Sequence, residues 1–148
     1  MELIDQITGN LVGLDTSVII SYIADEAPFA EILAPIFTAI EAGNLIGVTP
    51  TISLTESLVH PFRSKDTETI QLIKEMLLES ENILTIDLNS DIAEEAAKLR
   101  AQHQLKTPDA IQLATAIHAG AQTFLTNDKR LRSLPAIKVV VVQDFVTK

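Results

Sequence analysis

Five short apolar runs recur along this chain with amphipathic stretches between them, and that alternation leaves few folds open. The runs are Leu11–Leu14, Leu45–Val48, Ile83–Ile86, Thr123–Leu125 and Lys138–Val142. Each is strand length and mostly apolar, as strands covered on both faces must be. The segments between them follow a helical period. Phe29, Leu33, Ile36, Phe37 and Ile40 form one stripe opened by Pro28 and stopped by Gly43. Ile70, Ile73, Met76 and Leu77 form a second behind a cap at Asp66 or Thr67, and Ile92, Ala96 and Leu99 a third behind Asn89 or Ser90. A fourth begins with Thr107 as cap and Pro108 as first helical residue and ends at Gly120. Strands alternating with helices predict an α/β domain of three layers, helices on both sides of a parallel sheet of about five short strands. Pro35 falls inside the first stripe and predicts a kink or break there, and His60-Pro61 marks the end of the helix following the second strand.

With 148 residues and no repeat, linker or low-complexity tract, residues 1–148 read as one domain with a short leader over 1–10. No run is long enough for a secretory or membrane segment, because Asp15 interrupts the apolar stretch at 11–20. The absence of cysteine excludes a thiol nucleophile and a thiolate metal site and fits a cytoplasmic protein. Five glycines include no phosphate-binding loop, and no serine sits in a nucleophile elbow. His60, His103 and His118 make no catalytic set by spacing.

Four acids stand where strands or helix starts are expected. Asp15 closes the first strand, Glu56 lies within the apolar segment from Ile52 to Val59, Asp109 follows Thr107-Pro108, and Asp128 follows the strand at Thr123–Leu125. Each has a bland explanation: a strand-end cap, a solvated helix face, a helix-dipole partner, a turn residue. In a parallel sheet, however, ligands bind beyond the carboxyl ends of the strands where chain order reverses, and one such crevice can gather all four. Carboxylates brought together there repel one another, and a hard divalent cation such as Mg²⁺ or Mn²⁺ is the usual compensation. That chemistry suits hydrolysis of a phosphodiester.

The net charge of −9 sets a puzzle for a nucleic-acid substrate. No Lys or Arg precedes Arg63, whereas eight acids do. A general nucleic-acid binder carries a basic surface. A neutralising metal and a local patch can substitute for it, and Arg63, Lys65, Lys106, Lys129, Arg130 and Arg132 flank the acids as candidates to grip phosphates.

Taken together, Leu14-Asp15-Thr16-Ser17, Thr55-Glu56, Leu99-Arg100, Thr107-Pro108-Asp109-Ala110 and Phe124-Leu125-Thr126-Asn127-Asp128 resemble the PIN domain, most of all the VapC-type toxin ribonucleases of bacterial toxin–antitoxin pairs. The resemblance runs from Leu11 to Val142. It implies a PIN-like fold and an acidic pocket in which Asp15 and Asp109 are principal ligands of Mg²⁺ or Mn²⁺. Glu56 and Asp128 would complete the pocket, and Thr126 and Ser17 would support it. It implies cleavage of single-stranded RNA, an antitoxin partner received along the base-free stretch from Tyr22 to Ile40, and a homodimer. The alternatives are a PIN nuclease of RNA processing outside any toxin system, and a PIN-like binding module without activity.

Overall fold

The computed structural model describes residues 1–132 and 134–146. Five parallel strands form the middle layer: β1 (Leu11–Leu14), β2 (Ile46–Pro50), β3 (Ile83–Ile86), β4 (Thr123–Thr126) and β5 (Lys138–Val141). Their order is β3-β2-β1-β4-β5, so chain order reverses at the β1–β4 pair in the centre. Among the described residues six α-helices cover the two faces: α1 (Thr16–Ile23), α2 (Phe29–Glu41), α3 (Ile52–Ser64), α4 (Thr67–Lys74), α5 (Ser90–Gln102) and α6 (Thr107–His118). The expected three-layer α/β architecture is present.

Strand alternation builds two cores. On one face Val12, Leu14 and Leu125 pack with Val18, Ile19, Leu33 and Ile36 of α1 and α2. On the other, Phe124 packs with Ile92, Leu99, Leu113 and Ala114 of α5 and α6. Neighbouring residues Phe124 and Leu125 thus serve opposite cores. Gly13 is the point of closest approach, since a Cβ there would stand 2.7 Å from both Ala116 Cβ and Phe124 Cδ1. The absent side chain lets α6 lie directly on β1, and this sets the distance between Asp109 on the helix and the end of the strand.

Several local expectations need correction. The second strand runs from Ile46 to Pro50 rather than Leu45 to Val48, because Thr49 and Pro50 still pair with Thr85 and Ile86. Val142 opens a 3-10 turn instead of ending β5. Helix α2 continues unbroken through Pro35, which leaves the Glu31 carbonyl without its helical donor; Glu31 is exposed, so water can replace that bond. Helix α3 likewise runs past Pro61. Its end is set by Lys65 in the left-handed region (φ 56°), with Asp66 N–H bonded to the Pro61 carbonyl and Lys65 N–H to that of Phe62. Asp66 caps α4 through Thr69 N–H, but Met76 and Leu77 fall in a π-turn at Glu75–Glu79, where the Thr85 hydroxyl donates to the Leu77 carbonyl. Thr107 is the first residue of α6 and not its cap; Lys106 precedes it without a capping bond, and the Thr107 hydroxyl accepts from Arg100 instead. Gly43 and Gly120 end their helices as expected, both at positive φ. Within the first ten residues, Leu3 is buried against the α2 core.

Candidate active site

Parallel strands aim their carboxyl ends at one edge, and β1 and β4 deliver Asp15 and the turn Asn127-Asp128 to it as neighbours. The register holds them there, with Asp15 N–H bonded to the Leu125 carbonyl at 3.0 Å. Asp15 is 7% exposed. Although it precedes α1, its side chain makes no capping bond, so the bland explanation fails at this position. Its Oδ2 instead accepts from the hydroxyls of Thr126 (2.6 Å) and Ser17 (3.0 Å). Each hydroxyl in turn accepts a backbone N–H from the turn, Thr126 from Asp128 and Ser17 from Asn127. Two relays therefore fix the same carboxylate oxygen, and neither uses Oδ1.

Opposite Asp15, Glu56 of α3 is exposed at its tip, yet its Oε1 accepts from the Thr16 hydroxyl at 2.8 Å and from Gln112 Nε2 at 3.2 Å. Thr16 thus serves Glu56, not Asp15. Gln112 lies three residues beyond Asp109 on α6, a spacing that puts both on one helix face. At 2% exposure its amide also reaches Thr16 Oγ1 (2.6 Å) and Ser53 Oγ (3.0 Å). Ser53 contacts Thr49, which donates to the Leu14 carbonyl. A continuous polar network thus links α3, α6 and the ends of β1 and β2 beneath the acids. Sequence reading did not assign Gln112. The one available signal was a lone amide among Ile111, Leu113 and Ala114 on a helix that packs on the sheet.

The acids sense one another unequally. Burial pushes the Asp15 carboxyl above its ordinary value; the Thr126 and Ser17 hydroxyls oppose this, and the charges of Asp109 and Glu56 add to it. Asp109 is raised as well, by burial first and then by Asp128 and Glu56, against the opposing pull of Arg130 and Lys106. Asp128 is lowered, chiefly because Arg130 grips it from both oxygens (Nε to Oδ1 2.9 Å, Nη2 to Oδ2 2.6 Å). It also accepts the Arg130 N–H, as a turn residue does. Asp15, Glu56 and Asp109 form the coupled group, and Asp128 joins it through Asp109 while held by its own arginine.

The donor chemistry fits a hard divalent ion, because all the groups are carboxylate oxygens, and burial together with neighbouring acids holds Asp15 and Asp109 above the ordinary carboxylate range. The expected gathering is looser than a finished cage: among the described residues, no three acidic or histidine side chains stand close enough to hold an ion as they are. The basic candidates divide similarly. Lys106 and Arg130 act on Asp109, and Lys129 is exposed next to Arg130. Arg132 is paired with Asp144, whereas Arg63 stands roughly 10 Å further along the α3 axis than Glu56, and Lys65 lies past the end of that helix. Much of the stripe from Tyr22 to Ile40 is core, with Leu33, Ile36 and Ile40 buried and the Tyr22 and Phe37 rings stacked at 4.0 Å.

Comparison with known proteins agrees with this architecture. A family model described as "PIN domain" matches residues 12–137. No curated protein matches significantly in sequence. Among solved structures, a chain of a toxin–antitoxin complex from Klebsiella pneumoniae is 25% identical with a TM-score of 0.65, covering 90% of this chain and 98% of its own. VapBC2 from Rickettsia felis, bound to a DNA fragment from its promoter, is 19% identical with a TM-score of 0.68, covering 88% and 98%. VapC20 from Mycobacterium tuberculosis, a toxin that cleaves the sarcin–ricin loop, is 15% identical with a TM-score of 0.64, covering 86% and 98%. Among the described residues no helix is long and apolar enough to cross a membrane.

Proposed function

Because the chain belongs to the PIN domain family, we propose that it is a metal-dependent endoribonuclease acting on single-stranded RNA, and the toxin of a toxin–antitoxin pair. The observation that carries this reading is the buried Asp15, fixed by two hydroxyls and electrostatically coupled to Asp109 and Glu56 at the reversal point of the sheet. Asp15 and Asp109 would hold Mg²⁺ or Mn²⁺, with Glu56 and Asp128 completing its surroundings directly or through water. When bound, such an ion activates water and stabilises charge on the phosphate and the leaving oxygen. The chain's own part is orientation. Thr126 and Ser17 hold Asp15 through Oδ2, and Thr16 and Gln112 hold Glu56 through Oε1. Arg130 and Lys106 offset the remaining negative charge where a phosphate must approach.

Cleavage of a labelled single-stranded RNA is the direct test. The wild-type protein should cut it with Mg²⁺ or Mn²⁺ and stop with EDTA, and Asp109→Asn should be inactive under both conditions. Cleavage that survives EDTA, or that Asp109→Asn leaves intact, overturns the assignment. The toxin role is supported by the toxin–antitoxin complexes among the structural neighbours. Co-expression with the product of the adjacent gene, followed by light scattering on the purified material, should give a stable complex containing two copies of this chain. If this chain elutes alone and its expression leaves growth unaffected, a PIN nuclease outside any toxin system is the better reading.

A further inference from the structure

Beside the acidic crevice lies a cavity of about 530 Å³, formed by the end of α5, the loop that follows it, and the first turn of α6. Its position follows from Arg100. The guanidinium donates from Nε to the Leu105 carbonyl and from Nη1 to Thr107 Oγ1, both at 2.9 Å, and so laces the loop back over α5. The walls carry Arg100, His103, Lys106 and Arg130 together with Asp109, and Arg130 is paired with Asp128. In a chain with eleven Lys and Arg against twenty Asp and Glu, three of those bases and one of three histidines share this hollow. The clustering runs against the overall charge, which is what a site for an anion requires.

Asp109 forms the wall common to the cavity and the crevice. It feels Asp128 and Glu56 as repulsion and Arg130 and Lys106 as attraction. An RNA strand whose scissile phosphate lies at the carboxylates therefore meets the basic hollow within the next residue or so of its backbone. The volume lies in the range of small-ligand sites, about 300–1,000 Å³, which accommodates a nucleotide but not a duplex. Two planar groups line it, the half-buried His103 ring and the Arg100 guanidinium held by its two hydrogen bonds. Unpaired bases stack on such planes.

Building on the nuclease reading, we infer that this cavity is a nucleotide subsite for the single strand flanking the scissile bond. Lys106 takes its phosphate, and His103 with Arg100 takes its base. The strand then runs from the acids into the basic hollow.

The test is fluorescence anisotropy of the full-length protein with a labelled single-stranded oligoribonucleotide in EDTA, titrated over a range of salt, for wild type, Lys106→Glu, His103→Ala and Lys74→Glu. Lys74 is exposed in the last turn of α4 and supplies an equal charge change elsewhere. Lys106→Glu should weaken binding about tenfold or more and reduce the slope of log affinity against log salt by about one. His103→Ala should weaken it at least about fivefold without changing the slope, as loss of a stacking contact does. Lys74→Glu should stay within about twofold of wild type, and duplex RNA should compete poorly. Lys106→Glu and His103→Ala both matching Lys74→Glu, while the wild type binds and cleaves, would overturn the subsite alone. A wild type that neither binds nor cleaves single-stranded RNA would overturn the nuclease reading beneath it.

Discussion

Asp15→Asn is expected to abolish metal-dependent RNA cleavage and, at the same time, to make the metal-free protein more stable. Asparagine keeps an oxygen for the Thr126 and Ser17 hydroxyls and changes little in shape, so the fold is preserved. It removes a charge that the protein buries at a cost. Burial raises the Asp15 pKa, and the charges of Asp109 and Glu56 raise it further. The folded protein therefore holds that proton more tightly than the unfolded chain does. The Asp15 contribution to stability is then fully present below the ordinary aspartate value of about 3.9 and is lost as pH rises through the elevated folded value. Thermal denaturation in EDTA should therefore show Asp15→Asn gaining on the wild type as pH rises from acidic to neutral, and melting higher at neutral pH.

Adding Mg²⁺ or Mn²⁺ should reverse the ranking. At about a hundredfold excess over its dissociation constant a ligand stabilises the native state by about 2.7 kcal/mol, worth several degrees for a chain of this size. Asp15→Asn should show little of that gain. Several kcal/mol of transition-state stabilisation comes from such an ion, so its loss should lower cleavage on the order of 10³-fold. A variant that still cleaves within a few-fold of wild type, or that melts below wild type in EDTA at neutral pH, would contradict the role given to Asp15.

The parts of this molecule that were legible in the sequence are those decided by local pattern. Leu11–Leu14 and Ile83–Ile86 were correctly bounded as strands because each is a short apolar run with polar neighbours. Gly43 and Gly120 marked helix ends because only a residue free of Cβ enters the left-handed region at no cost. What stayed hidden depends on partners distant in sequence. Thr107 looked like a cap until Arg100, seven residues earlier, claimed its hydroxyl. The helix beyond Lys74 widens because Thr85, on the next strand, bonds the Leu77 carbonyl. Pro61 looked like an ending, but the terminating bonds are made by Lys65 and Asp66. Of the proposed site, Asp15 and Asp128 stood out because carboxylates just past strand ends are conspicuous. The unequal coupling of the acids did not, since it depends on Arg130 turning back onto Asp128. Gln112 escaped notice because one amide in an amphipathic helix normally faces water. Here it faces Ser53 and Thr16, 59 and 96 residues away.

Gln112 is where site and core meet, and its substitution should separate the two. Its amide nitrogen holds Thr16, Ser53 and Glu56, whereas its Oε1 is buried without a hydrogen-bond partner among the described residues. Gln112→Leu removes three favourable contacts and also that orphaned oxygen. The bonds of Thr16 to Glu56 and of Thr49 to Ser53 do not depend on the amide. The two effects largely offset, and denaturant unfolding should show a change within about 1 kcal/mol. Activity should fall much further. Outer partners that orient metal-binding carboxylates are typically worth about 10- to 100-fold, and the loss should appear in kcat while KM for RNA stays near wild type. Gln112→Glu should behave differently. It sets a second carboxylate near Glu56 Oε1, at the position where the amide now stands 3.2 Å away, in a buried setting that disfavours charge. The new carboxyl has a raised folded pKa, so the variant should be far less stable at pH 7.5 than wild type and recover as pH is lowered toward 5. Urea unfolding at the two pH values reads this directly. If Gln112→Leu loses stability and activity in parallel, the amide is only a packing element. A kcat loss with the fold intact makes it the residue that holds Glu56 in place.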